Sequence, residues 1–118
     1  MTATSPTGQQ HLLFVCSRNQ RRSVLAERLL ARSPMYAVRS AGTERGAAQE
    51  VTRDHIDWAD FIFAMELKHL QQLRSRFKPA LKGKRLICLQ IQDRYGGMSL
   101  ELEQELRKKL SFYIEVPE

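Results

Sequence analysis

The sequence predicts an α/β fold, a parallel four-stranded sheet between helical layers. Three observations carry this expectation. Short apolar runs alternate with stretches whose apolar residues recur at helical spacing. The first run, Leu12-Leu13-Phe14-Val15, is apolar without a break, as a strand covered on both faces must be. Alternation of this kind needs crossovers long enough to hold a helix, which makes neighbouring strands parallel.

The elements follow in order. Leu12 to Val15 is the first strand. From Arg22 to about Ser33, Leu25, Ala26, Leu29 and Leu30 fall on one helical stripe, and Ser33-Pro34 ends it. Tyr36 to Ser40 is a short second strand closed by Ala41-Gly42-Thr43. Thr52 caps a brief helix that carries Ile56 and Trp58 toward the core. Asp60 to Met65 is the third strand. Glu66 to Phe77 is helical, with Leu67, Leu70 and Leu73 on one stripe. Pro79 and Gly83 punctuate a basic connection into the fourth strand, Arg85 to Leu89. Ser99 caps the last helix, whose early Glu101 and Glu103 and late Arg107, Lys108 and Lys109 complement its dipole.

With 118 residues the chain suits a single core, and it is read as one domain over 11–118 behind a frayed tail, 1–10. That tail has neither the charged nor the apolar region of a signal peptide. No apolar run approaches the roughly 20 residues that span a bilayer, so no membrane partner is expected and the location expected is cytoplasmic. Cys16 and Cys88 do not make a disulfide framework. No Cys-x-x-Cys pair occurs, and His11, His55 and His69 share no ligand spacing, so neither metal nor other cofactor is expected. The formal charge of +6 favours acidic and phosphate-bearing partners. It argues only weakly for nucleic acid, because aromatic residues are not interleaved with the basic ones.

One segment suggests a chemistry. Cys16 ends the first strand, and Ser17, Arg18, Asn19, Gln20 and Arg21 separate it from Arg22-Ser23, which open a helix. Right-handed crossovers place the loops after the strands on one edge of the sheet, where ligands of such folds bind. A five-residue loop can wrap a tetrahedral oxyanion with its amides turned inward, and the helix N-terminus adds positive potential. That field also favours a thiolate, the nucleophilic form of cysteine. Arg22 can clamp two oxygens with its planar fork. Nucleophile, anion cradle and charge neutraliser are the parts that phosphoryl transfer to sulfur requires.

These residues resemble the low-molecular-weight protein tyrosine phosphatase family, in a short, compact bacterial form. The family opens with an apolar strand and a Cys-x5-Arg-Ser loop, matched by Leu12 to Ser23. A Ser-Ala-Gly-Thr segment after the second strand is matched by residues 40–43, and a third strand ending in methionine and an acidic residue by Asp60 to Glu66. The family's late Asp-Pro-Tyr loop has Asp93-Arg94-Tyr95-Gly96-Gly97 as its counterpart. The resemblance implies sheet order 2-1-3-4 and hydrolysis of phosphate monoesters, protein phosphotyrosine above all, through a cysteinyl-phosphate. It implies Cys16 as nucleophile, Arg22 as the ligand of the phosphoryl oxygens, Asn19 as a brace of the loop and Ser23 as a donor to the sulfur. Asp93 would be the general acid, and Tyr95 would line the substrate pocket.

Three departures from the family pattern bear on function. The stretch from Thr43 to Asp60 is much shorter, which removes a wall of the usual pocket. Arg94 replaces the proline after the acid, and its charge should favour ionised Asp93. Arg21 replaces a second loop cysteine, and with it the usual reversible disulfide.

Plainer readings stand beside these. Cys16 alone could be a small buried apolar residue, and Asp93 a turn-former before the glycines. Tyr95 could stack on an aromatic substrate or cover the core. Arg18 and Arg21 read as surface residues or a basic rim, Cys88 and Trp58 as core, and His55 and His69 as exposed. Asp60 could hold a neighbouring loop. Two other functions remain open on the same fold: a phosphate- or phosphoprotein-binding module without turnover, and arsenate reduction, which needs further cysteines to carry the oxidation outward.

Overall fold

A computed structural model describes residues 8–93 and 99–118. Its strands are β1 (Gln10–Cys16), β2 (Tyr36–Gly42), β3 (Phe61–Ala64) and β4 (Arg85–Cys88). Between and after them run the helices α1 (Arg22–Leu30), α2 (Arg53–Trp58), α3 (Leu67–Phe77) and α4 (Leu100–Leu110), with a 3-10 turn at Lys78–Leu81. The sheet is parallel throughout, in the order β2-β1-β3-β4.

The unbroken apolar run of β1 is explained by two cores, one on each face. Leu12, Phe14 and Cys16 point to the face covered by α1 and α4, where they meet Leu29, Leu30, Phe63, Leu102 and Leu106. Leu13 and Val15 point to the opposite face and meet Val51, Ile56, Ile62, Leu73 and Leu81. Each fully buried Leu or Phe contributes roughly 1.5–3 kcal/mol over leaving it exposed, so the central strand anchors both layers. Among the described residues, no helix is long and apolar enough to cross a membrane.

Local chemistry sets the helix starts as expected at two places. Thr52 accepts the His55 amide at 3.4 Å, and His55 Nδ1 accepts the Thr52 amide at 3.0 Å, a reciprocal cap. Ser99 Oγ accepts the Leu102 amide at 3.1 Å. Strand ends differ by a residue or two from the sequence reading, and β2 runs on to Gly42 because its register with β1 continues to Cys16. Asp60 lies just before β3, where its carboxylate accepts the His11 amide at 2.9 Å and holds the start of that strand to β1.

Several side chains depart from the environments expected of them, among them Leu67, which is exposed, and His55, which is half-buried. His69 is completely buried rather than exposed. Cys88 is half-buried, because β4 has a strand neighbour on one side only. Trp58 lies at the margin of the second core, stacked on the His11 ring at 4.4 Å with the Arg39 guanidinium 4.5 Å from its centroid.

The register decides where a site can form. Cys16 pairs with Gly42 and Val15 with Ala64, so the carboxyl ends of β1, β2 and β3 share one edge. The chain passes from β1 outward to β2, then back across β1 to β3. That reversal of strand order opens a crevice beside the end of β1.

Candidate active site

The segment from Ser17 to Arg21 curls over the end of β1 and delivers the chain into α1. Asn19 has φ 56°, a left-handed conformation that asparagine tolerates better than most residues. The turn brings the Asn19 amide to 3.2 Å from Cys16 Sγ, to which it donates. Asn19 Nδ2 donates to Ser23 Oγ at 3.0 Å, and Ser23 Oγ lies 3.0 Å from the same sulfur. Cys16, Asn19 and Ser23 thus form a closed buried triangle beneath the loop. The first turn of α1 has no side-chain cap at Arg21, which leaves its outer amides to face whatever the loop encloses.

The loop is held from outside by the segment after β2. The Thr43 amide donates to the Cys16 carbonyl at 2.9 Å, the Glu44 amide to the Ser17 carbonyl at 2.9 Å and the Ala48 amide to the Arg18 carbonyl at 3.1 Å. Gly42 makes this approach possible. A Cβ there would lie 2.6 Å from the Ser17 carbonyl oxygen and 2.7 Å from Ala47 Cβ.

An open cleft of about 420 Å³ lies over the sulfur, lined by Cys16, Ser17, Arg18, Gln20, Arg21 and Arg22 from the loop and by Glu44, Lys68 and Asp93 around it. Arg22 is 4% exposed, and its Nη1 donates to Glu66 Oε2 at 2.6 Å and to the Ile91 carbonyl at 2.8 Å. Arg18 and Arg21 form the basic rim, facing Glu44 at 3.4 Å and Asp93 at 3.6 Å. Burial pushes the Glu66 carboxyl up, but the Arg22 hydrogen bond and the Arg22 and Lys68 charges outweigh it and hold the group below its ordinary range.

The structure brings most of the candidates read from the sequence together. Cys16, Ser17, Arg18, Gln20, Arg21, Arg22 and Asp93 share the cleft, while Asn19 and Ser23 brace it from below. Arg94 and Tyr95 lie outside the described residues. Four contributors had been given no role at the site: Glu44, Glu66, Lys68 and His69. Glu66 and His69 carried a local signal, an acidic residue at the helix start with a hydrogen-bonding side chain three positions on. His69 Nδ1 accepts the Glu66 amide at 3.0 Å. Its proton therefore sits on Nε2, which donates to Ser17 Oγ at 2.8 Å. Burial, then the Arg22 charge, push the His69 pKa down to about 4, so the ring is neutral near pH 7.

A scan of protein-family models and a search of curated proteins find no match to this chain. Solved structures do match. The YwlE arginine phosphatase from Geobacillus stearothermophilus is 26% identical with a TM-score of 0.66, over 87% of this chain and 86% of its own. The tyrosine phosphatase Wzb from Escherichia coli K30, in complex with phosphate, is 23% identical with a TM-score of 0.73, over 89% of this chain and 96% of its own. A low-molecular-weight protein tyrosine phosphatase from T. tengcongensis is 21% identical with a TM-score of 0.69, over 90% of this chain and all of its own. By the order of its parallel sheet and the place of its cysteine loop, this chain shares the fold of these low-molecular-weight phosphatases.

Proposed function

We propose that the protein is a phosphatase that hydrolyses phosphate monoesters, with protein phosphotyrosine as its expected substrate. The observation that carries this reading is the convergence of Cys16 Sγ, an uncapped helix start and the anchored Arg22 guanidinium on one cleft. Two neighbours of the same fold, described as a tyrosine phosphatase with phosphate bound and an arginine phosphatase, support the general class.

The reaction takes two displacements. Cys16 Sγ attacks phosphorus in line, the ester P–O bond breaks, and Asp93 gives its proton to the leaving oxygen. Water then attacks the cysteinyl-phosphate, Asp93 takes a proton from it, and the P–S bond breaks to release phosphate and regenerate Cys16. Arg22 and the loop amides neutralise the equatorial oxygens through both steps, which is where most of the rate acceleration arises. Asn19 and Ser23 keep the sulfur centred below the loop, and Ser17, Arg18, Gln20 and Arg21 supply the loop backbone around the anion. Cys16→Ser should abolish release of phosphate from an aryl phosphate while phosphate or vanadate binding largely survives. Full turnover in that variant would overturn the assignment.

A second reading, a phosphate-binding module without efficient turnover, draws on Asp93. Its carboxylate is half-exposed and faces Arg21 at 3.6 Å, a contact that competes with any leaving oxygen. A burst of product followed by steady release excludes that reading. Phosphopeptide binding with no release supports it.

Arsenate reduction fits the strand arrangement poorly. Val15, Ala64 and Cys88 lie side by side on β1, β3 and β4, which puts Cys88 two strands away from the level of Cys16. Two strand spacings amount to about 10 Å, beyond the reach of a disulfide without backbone movement.

A further inference from the structure

The helix that follows β3 touches the loop through two residues with different tasks. His69 holds the Ser17 hydroxyl, and Glu66 holds the Arg22 guanidinium. The second contact bears on chemistry. Nη1 of Arg22 has two N–H bonds, and both are used: one on Glu66 Oε2 at 2.6 Å and one on the Ile91 carbonyl at 2.8 Å. What remains is the Nε–Nη2 edge, the side of a guanidinium that fits two oxygens of one phosphoryl group. Arg22 is 4% exposed and yet lines the cleft, so this edge is the part the anion can reach.

We propose that Glu66 is a positioning residue for phosphoryl transfer. By fixing Nη1, it sets the plane of the Arg22 guanidinium so that the Nε–Nη2 edge faces the loop before substrate arrives. The inference rests on the phosphatase reading of Cys16 and Arg22. An arginine left to its own rotamers would have to be ordered during the reaction, and reacting groups misplaced by an ångström cost about a hundredfold in rate. Glu66 caps the start of α3 and Arg22 opens α1, 44 residues apart, so the pair also ties the two helix starts to one geometry.

The carboxylate has an opposing effect that makes the proposal separable from a purely structural role. A negative charge beside Arg22 weakens the pull of the guanidinium on any anion, so its loss should favour ground-state phosphate binding. Orientation and attraction therefore move in opposite directions when Glu66 is changed.

The test compares Glu66→Ala and Glu66→Gln with the unaltered protein in three measurements: kcat on an aryl phosphate, the Kd of inorganic phosphate, and the NMR signal of the Arg22 Nε–H group. Glu66→Gln keeps an acceptor for Nη1 and guards against a variant that fails to fold. The expected result for Glu66→Ala is a kcat lower by about 10–100-fold with a phosphate Kd within about threefold. Glu66→Gln should lie between. The Arg22 Nε–H signal should be sharp and distinct in the unaltered protein and should move to the averaged position of mobile arginines in Glu66→Ala. An unchanged signal, or an unchanged kcat with a changed signal, would overturn the proposal. So would a phosphate affinity that falls in step with kcat, which marks a collapsed loop. Should the unaltered protein show no turnover at all, the phosphatase reading fails, and the catalytic role proposed for Glu66 falls with it. A moved signal in that case would still show that Glu66 orders Arg22.

Discussion

Arg21 Nη1 stands 3.6 Å from Asp93 Oδ1 at the mouth of the cleft, joining the loop to the proposed acid. Arg21 occupies the position where the resembling family carries a second cysteine, so a charged contact stands in place of a redox one. Both side chains are about half-exposed, at 47% and 52%, which limits such a pair to about 0–1 kcal/mol. Arg21→Ala should accordingly lower kcat/KM by no more than about fivefold, and added salt should reproduce most of the effect. Asp93→Asn should cost about 10²–10⁴-fold, most with poor leaving groups. Rates on a series of aryl phosphates of rising leaving-group pKa measure both. A flat difference across the series would place the acid at another residue.

His69 gives the protein an acid-sensitive loop support. The folded protein keeps the ring neutral down to about pH 4, whereas the unfolded chain takes up a proton near 6.5. Between those values the unfolded state binds more protons, so stability falls as pH drops from 6.5 toward 4 and is level above that window. The full loss is about 3 kcal/mol. Urea unfolding at pH 7 and at pH 4.5 checks this against His69→Gln, whose amide can still donate to Ser17. The variant should show a shallower decline, and equal slopes would mean that the ring is not held neutral.

Gly42→Ala should damage the loop from behind. The added methyl would press on the Ser17 carbonyl at 2.6 Å, a backbone atom that cannot swing aside. Overpacking of this kind costs about 1–3 kcal/mol. Because the displaced backbone belongs to the anion loop, phosphate affinity should fall together with stability, as denaturant melts and phosphate titration would reveal. A variant that loses stability but binds phosphate as before would show that the strain is absorbed on the Ala47 side.

The sequence by itself determined the sheet, the helix starts and the cysteine loop. Strand β1 needs apolar residues at every position because both faces are covered, and Thr52 and Ser99 cap their helices through hydrogen bonds to residues three positions away. The triangle of Cys16, Asn19 and Ser23 closes within eight residues, so its parts were legible in one stretch of chain.

Only the tertiary structure decided what leans on that loop. His69 looked exposed beside Lys68, Gln71 and Gln72, yet the first turn of α3 packs under Ser17, and a helix's buried side is set by its neighbour as well as by its own pattern. Cys88 looked like core, but its strand lies at the sheet edge and is covered less. The partner of Arg22 was hidden for the same reason. Local hydrogen bonds and apolar periodicity are written in adjacent residues, whereas a pair 44 positions apart exists only once the strand order has brought α1 and α3 to one edge of the sheet.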